Sequence, residues 1–208
     1  MTALVPTRYG LSFKLEISRL RSMTRILLSV FICAMGVACG EDFPQQPEKR
    51  LVKATRELKK AKTEIHRFYA LAEVAKESFV NGKTQDAMTY AKELEGMLSK
   101  YPSDWNYGNA IHDFNMVLGR IALAEGRVAE AKGHLIAAGK SPGSPQLNSF
   151  GPNMSLAEDL LKKGEKDSVL EYFGLCRKFW KLGEERLDQW SESIKAGKTP
   201  DFRANLVY

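Results

Sequence analysis

The segment Val117–Gly139, VLGRIALAEGRVAEAKGHLIAAG, restricts the possible fold more than any other stretch of the chain. Val128, Ala131, Leu135 and Ala138 recur at steps of three and four, and Leu118, Ile121, Ala122 and Glu125 keep the same period before them. Gly126 separates the two runs, and glycine alone takes the left-handed helix cap without steric cost. Gly119, Ala122, Ala131 and Ala138 fall where two helix backbones would press together. Leu118, Leu123, Val128 and Leu135 fall where side chains would interlock. The segment therefore predicts two short helices folded back to back across Gly126.

Two further copies of this order lie in the chain. The earlier one has Val74-Ala75, Ser78, Gly82, Ala87, Ala91 and Leu94; the later one has Leu156-Ala157, Leu160, Gly164, Val169, Phe173 and Cys176. Over residues 68–180 the order resembles the tetratricopeptide repeat, a helix-turn-helix unit of about 34 residues. The turn glycines are 44 and 38 residues apart, so both intervals carry insertions. The signature tryptophan and tyrosine of the first helix are missing, and Pro102 falls late for the closing proline, whereas Pro142 is close to its place. The resemblance implies an all-α fold: a short tetratricopeptide-like α-solenoid of helical hairpins, with a long N-terminal helix and C-terminal capping helices. An irregular helical bundle is the competing arrangement, because any αα-hairpin needs small residues at its crossings.

Residues 1–38 read as a doubtful extension followed by an export signal. Met23-Thr24-Arg25 is a short basic lead, Ile26–Met35 is an apolar core, and Gly36-Val37-Ala38-Cys39 follows. That pattern describes a secretory signal peptide whose true start is Met23. Its core falls short of the roughly 20 residues that span a bilayer. Small residues before a cysteine resemble the lipobox of bacterial lipoproteins, which implies lipidation of Cys39; Gly36 stands where a leucine is usual, and a conventional cut after Ala38 is the alternative. Without residues 1–38 the chain keeps 26 basic and 24 acidic side chains, so the net charge falls from +6 to +2. No basic patch with interleaved aromatics survives to suggest nucleic acid. Cys176 is then the one cysteine beyond Cys39, placed where the repeat usually has alanine, and core packing suits it better than catalysis.

Residues 39–47 form a linker, and 48–208 a single helical repeat domain. From Glu48 to Asn81 there is no glycine or proline. Leu51, Leu58, Ile65, Ala72 and Phe79 recur at sevens, with Ala54, Ala61, Phe68 and Ala75 three places after the first four. This heptad seam predicts a long first helix, about 50 Å if unbroken, packing on the next hairpin or serving as a coiled-coil spacer. A second helix is expected from Thr84 to Lys100, and a third from Trp105 to Glu125, with Ser103 or Asp104 as its cap. Trp105, Asn106, Tyr107, Asn109, His112, Asp113 and Asn115 make the start of the third helix too polar to enter an apolar core whole. Gly139–Asn153 reads as an irregular loop anchored by Leu147, Phe150 and Met154. Ser155 and Glu158 suggest a capping box for the helix after it. Phe173, Phe179, Trp180 and Leu182 suggest one long helix, and Leu187, Trp190 and Ile194 another, closing the stack.

GSPQLNSFGPNMSLAEDLLKKGEKDSVLEYFGLCRKFW and the closing AGKTPDFRANLVY are similar to a group of bacterial tetratricopeptide-type proteins of no assigned activity. This resemblance implies the fold and a bacterial source, and carries no catalytic residues with it. His66, His112 and His134 fall on three different helices, and adjacent His112-Asp113 would point apart and form no aligned dyad. No phosphate loop, zinc spacing or nucleophile elbow is present in the sequence, so neither cofactor nor metal is expected. The expected function is an exported or membrane-tethered interaction module that holds a peptide or an envelope protein. An enzyme or enzyme accessory working at the Trp105–Asn115 turn is the alternative.

In tetratricopeptide arrays the first helices line the concave surface. Alignment on the turn glycines puts Lys76, Arg120 and Glu158 at equivalent places and gives Met116 and Met154 another, with Arg120 facing Glu158. Asp113 and Asn109 lie one and two turns before Met116 on the second of these helices, and Asn148, Phe150 and Asn153 pass its mouth. Amides satisfy an extended peptide backbone and thioethers adapt to its side chains, so these residues other than Lys76, nine in all, are the expected partner-binding wall.

Overall fold

The computed structural model describes residues 46–206, and in these the fold is all-α, with nine α-helices and no strand. Helix α1 spans Pro47–Lys60, α2 Glu64–Val80, α3 Thr84–Met97, α4 Tyr107–Ala124, α5 Val128–Gly139, α6 Pro145–Phe150, α7 Ser155–Leu161, α8 Lys166–Cys176 and α9 Glu184–Lys195. The export segment, Cys39 and the last two residues lie outside the described residues. Among the described residues no helix is long and apolar enough to cross a membrane.

Three hairpins, α2–α3, α4–α5 and α7–α8, turn in the same way. Gly82, Gly126 and Gly164 have φ of 72°, 80° and 85°. In each turn the residue after the glycine donates its N–H to a carbonyl five residues back: Lys83 to Ser78, Arg127 to Ala122, Glu165 to Leu160, at 2.8–3.1 Å. That is the Schellman geometry, and it satisfies carbonyls that the helix end would otherwise leave unpaired. Gly197 ends α9 identically, with φ 78° and Lys198 N–H on the Ser193 carbonyl. Thr199-Pro200 follows it, so no partner helix forms.

Within a hairpin the helices are antiparallel, as the Arg67–Glu93 ion pair shows by joining the start of α2 to the end of α3. Between hairpins the first helices run parallel: Arg120 of α4 stacks on Phe79 of α2 and pairs with Asp159 of α7. Lys132–Glu165 and the approach of Leu175 to Gly139 align α5 with α8 in the same sense. Helix α4 lies between two apolar cores. Ala110, Phe114, Val117 and Ile121 belong to the core shared with α1–α3, and Met116, Ala122 and Leu123 to the core shared with α5–α9. A helix apolar on opposite faces has to be central. Gly119 permits this closeness: a Cβ there would stand 2.3 Å from Leu156 and 2.9 Å from His134.

The long first helix is not continuous. Ala61-Lys62-Thr63 breaks it, and Thr63 Oγ1 caps α2 by accepting the His66 N–H at 3.3 Å. Arg50 near the start of α1 reaches Glu77 near the end of α2 at 3.0 Å, so the heptad seam folds onto itself as another antiparallel pair. The expected loop after α5 contains α6, started by Pro145 and capped by Ser144 Oγ accepting the Leu147 N–H at 3.0 Å. The capping box at Ser155 does not form. Asn153 Oδ1 takes the Ser155 N–H at 2.8 Å, and Glu158 turns to Lys162. Asp104 likewise lies outside the α4 cap position, where its carboxylate accepts the Tyr69 hydroxyl and the Asn106 N–H, both at 2.8 Å. The helix expected through Phe179 and Leu182 stops at Cys176. Phe179 and Trp180 turn inward, and Leu182 is left 81% exposed. Trp180, Trp190, Phe173 and Phe202 then close the end of the stack, with Trp190 edge-on to Phe202 at 4.9 Å. Cys176 is fully buried among them, and burial pushes its thiol well above the ordinary range.

Candidate functional site

Helices α2 and α4 leave a shallow trough between them that ends against the segment leading into α7. Ala72, Glu73, Lys76 and Phe79 of α2 form one side. Asp113, Met116, Val117 and Arg120 of α4 form the other, and Asn153 and Ser155 close the end around a cavity of about 70 Å³. A second cavity of about 420 Å³ continues along α4 toward its start, where Asn109, His112 and Asp113 face Gln146, Leu147, Phe150 and Gly151. Asp113 and Asn153 border both cavities, so the two make one groove.

Most charges of the groove are neutralised within the protein. Lys76 pairs with Glu73 at 2.7 Å and approaches the buried Glu77, whose two oxygens also take the Arg50 Nε–H. Arg120 pairs with Asp159 at 2.8 Å and lies 4.8 Å over the Phe79 ring. Glu158, expected opposite Arg120, is one residue away from that role and pairs with Lys162 at 2.7 Å. One helix step rotates a side chain by about 100°, enough to exchange the two acids.

Asp113 is different. Its Oδ1 lies 3.0 Å from His112 Nδ1, although neighbours on a helix were expected to diverge. His112 is fully buried, and its Nε2 meets the Tyr172 hydroxyl at 3.1 Å; that hydroxyl donates its one proton to the Asn153 carbonyl at 3.1 Å and offers its oxygen to the ring. The ring is therefore clamped from α8, and the short Asp113 side chain bends back to it at the rim. Burial, then the nearby Cys176, raises the Tyr172 phenol well above its usual range, so it stays a neutral donor. Both imidazole nitrogens are engaged inside the fold. The arrangement orients Asp113 and ties α4 to α8, and it places no nucleophile at the groove.

The remaining polar residues at the start of α4 enter the interior by pairing. Asn115 donates to the Ile111 carbonyl and accepts from His134 Nδ1, each at 2.8 Å. Asn109 was expected to serve a bound peptide, but its carboxamide bonds Asn106, Gln146 and Ser144 and fastens α6 to α4. Trp105 alone of this group is largely outside, half exposed against Tyr69.

Of the nine expected wall residues, Asn109, Asp113, Met116, Arg120, Phe150 and Asn153 border the groove. Met154 does not, being wholly buried in the second core. Asn148 faces the Ser144 and Phe179 carbonyls with its amide nitrogen. Sequence reasoning missed the contribution of Ala72 and Phe79, although both were in view as members of the heptad row. Their half-burial is the trace of a groove wall, where a seam packing on the next hairpin or in a coiled coil was expected. Among the described residues, no group of three or more His, Cys, Asp or Glu side chains gathers as a metal site. In comparisons with known proteins the chain matches no family model, no curated protein and no solved structure.

Proposed function

We propose that this protein is a short tetratricopeptide-like solenoid that binds an extended segment of a partner protein along its first helices. The observation that carries the reading is the composition of the groove: α2, α4 and the entry to α7 all border one trough, at places equivalent by the turn glycines. Half-buried Phe79 and Ala72 and the methionine between the helices offer apolar contact, and the Lys76–Glu73 and Arg120–Asp159 ion pairs line the rim. The resemblance of roughly the last 90 residues to tetratricopeptide-type bacterial proteins belongs to the same reading. Export belongs to the proposal as well: the Met23–Cys39 segment has the order of a secretory signal, which supports a module of the bacterial envelope, tethered by lipid at Cys39 or released after Ala38.

The test is a photo-crosslinking amino acid placed at Glu73 on the groove rim and, separately, at the exposed Leu182, which borders neither cavity. The full chain is expressed in its bacterial host. A discrete protein adduct at position 73, absent at 182, is the expected outcome. Equal labelling at both places, or none at 73, overturns the reading.

A further inference from the structure

We infer that the cavity between the start of α4 and α6 is a subsite for a basic side chain, arginine or lysine, of a peptide lying in the groove. The inference rests on the binding-groove reading and adds the chemistry of one residue of the ligand. Among the described residues Asp113 is the sole formally charged acid or strong base bordering this cavity. Every other carboxylate near the groove has a lysine or arginine partner: Glu73 has Lys76, Glu77 has Arg50, Asp159 has Arg120 and Glu158 has Lys162. Among the described residues Asp113 has His112 alone, on one oxygen.

The carboxylate is also preorganised. His112 is buried and held by Tyr172, so Asp113 is fixed at Oδ1 while its side chain stays 37% exposed at the mouth of the cavity. A cation arriving there forms a charge-assisted hydrogen bond without first ordering its partner. Leu147 and the Phe150 ring, 64% exposed, border the same space and suit the methylene stem of a long basic side chain. A guanidinium adds attraction to an aromatic face. The volume of about 420 Å³ admits such a side chain, and among the described residues no lysine or arginine borders the cavity to repel it.

The experiment uses three peptides, Ac-AAXAA-amide with X arginine, citrulline or norleucine, titrated into the signal-free mature chain and followed by backbone amide shifts. Citrulline keeps the shape and removes the charge; norleucine keeps only the stem. The arginine peptide is expected to shift the amides of Asp113 and residues 146–151, at least ten-fold more tightly than citrulline, with affinity falling as salt rises. Asp113→Asn, with an unchanged thermal midpoint, should bring arginine down to the citrulline level. Groove shifts of equal strength from all three peptides overturn the basic subsite and leave the peptide groove standing. No groove shift from any of them overturns both.

Discussion

His134 on α5 shows how a single side chain couples this fold to pH. Its Nδ1 bonds Asn115 on α4, and burial pulls its pKa below the ordinary 6.5, with Glu130 and Glu95 opposing. The unfolded chain therefore binds a proton at a pH where the folded chain does not, and acidification favours unfolding in that window. Stability is expected to hold above about pH 6.5 and to decline as pH falls below it. Urea midpoints between pH 8 and 5.5 check this, and His134→Gln should flatten that part of the profile. Asp113 belongs to the same scale. Sequence adjacency to His112 said nothing useful about it, because Tyr172, 60 residues away, sets the direction of the ring.

Among the elements, the hairpin turns are the most regular parts of the molecule. A Cβ on Gly126 would meet nothing within 4 Å, so replacing this glycine introduces backbone strain alone. Gly126→Ala should cost about 1–2 kcal/mol, the ordinary penalty for a side chain in the left-handed region. The check is a lower urea midpoint with an unchanged slope. Gly119→Ala makes the contrast, since its Cβ collides with Leu156 across the α4–α7 contact. The break between α1 and α2 rests on weaker signals. Neither glycine nor proline marks it, and Thr63 contributes one capping bond. Tertiary pairing supplies the rest, through burial of Leu51, Ala54 and Leu58 against α2 and the Arg50–Glu77 contact.

At the scale of the whole molecule, α4 joins two apolar cores that would otherwise be separate layers. Loss of packing in the distal core should therefore propagate through α4 and not melt α7–α9 alone. Phe173→Ala removes a fully buried ring in contact with Tyr172, Trp190 and Phe202. The expected loss is about 3–5 kcal/mol. Helix loss by circular dichroism and the tryptophan fluorescence change should still coincide, because Trp105 reports beside the first core and Trp180 and Trp190 within the second. Two separated transitions would show that α4 fails to couple the halves.

The all-helical class, the three hairpins and their left-handed glycines were legible in the amino-acid order. Helix period and turn geometry are local properties that a few neighbouring residues specify. The small residues Gly119, Ala131 and Ala138 also marked where backbones meet, because only small side chains fit there. The heptad of residues 48–81 was legible as apolar spacing but not as a choice of partner, since the same spacing packs against another chain or against its own second half. The groove was visible in part: Asp113, Met116 and Arg120 lie on one face of one helix, a local fact. The burial of Met154, the exchange of Glu158 for Asp159 and the commitment of Asn109 to α6 were decided by the tertiary structure. Each depends on rotations and distances between elements far apart in the chain, and hydrophobic burial constrains those only once all the helices are in place.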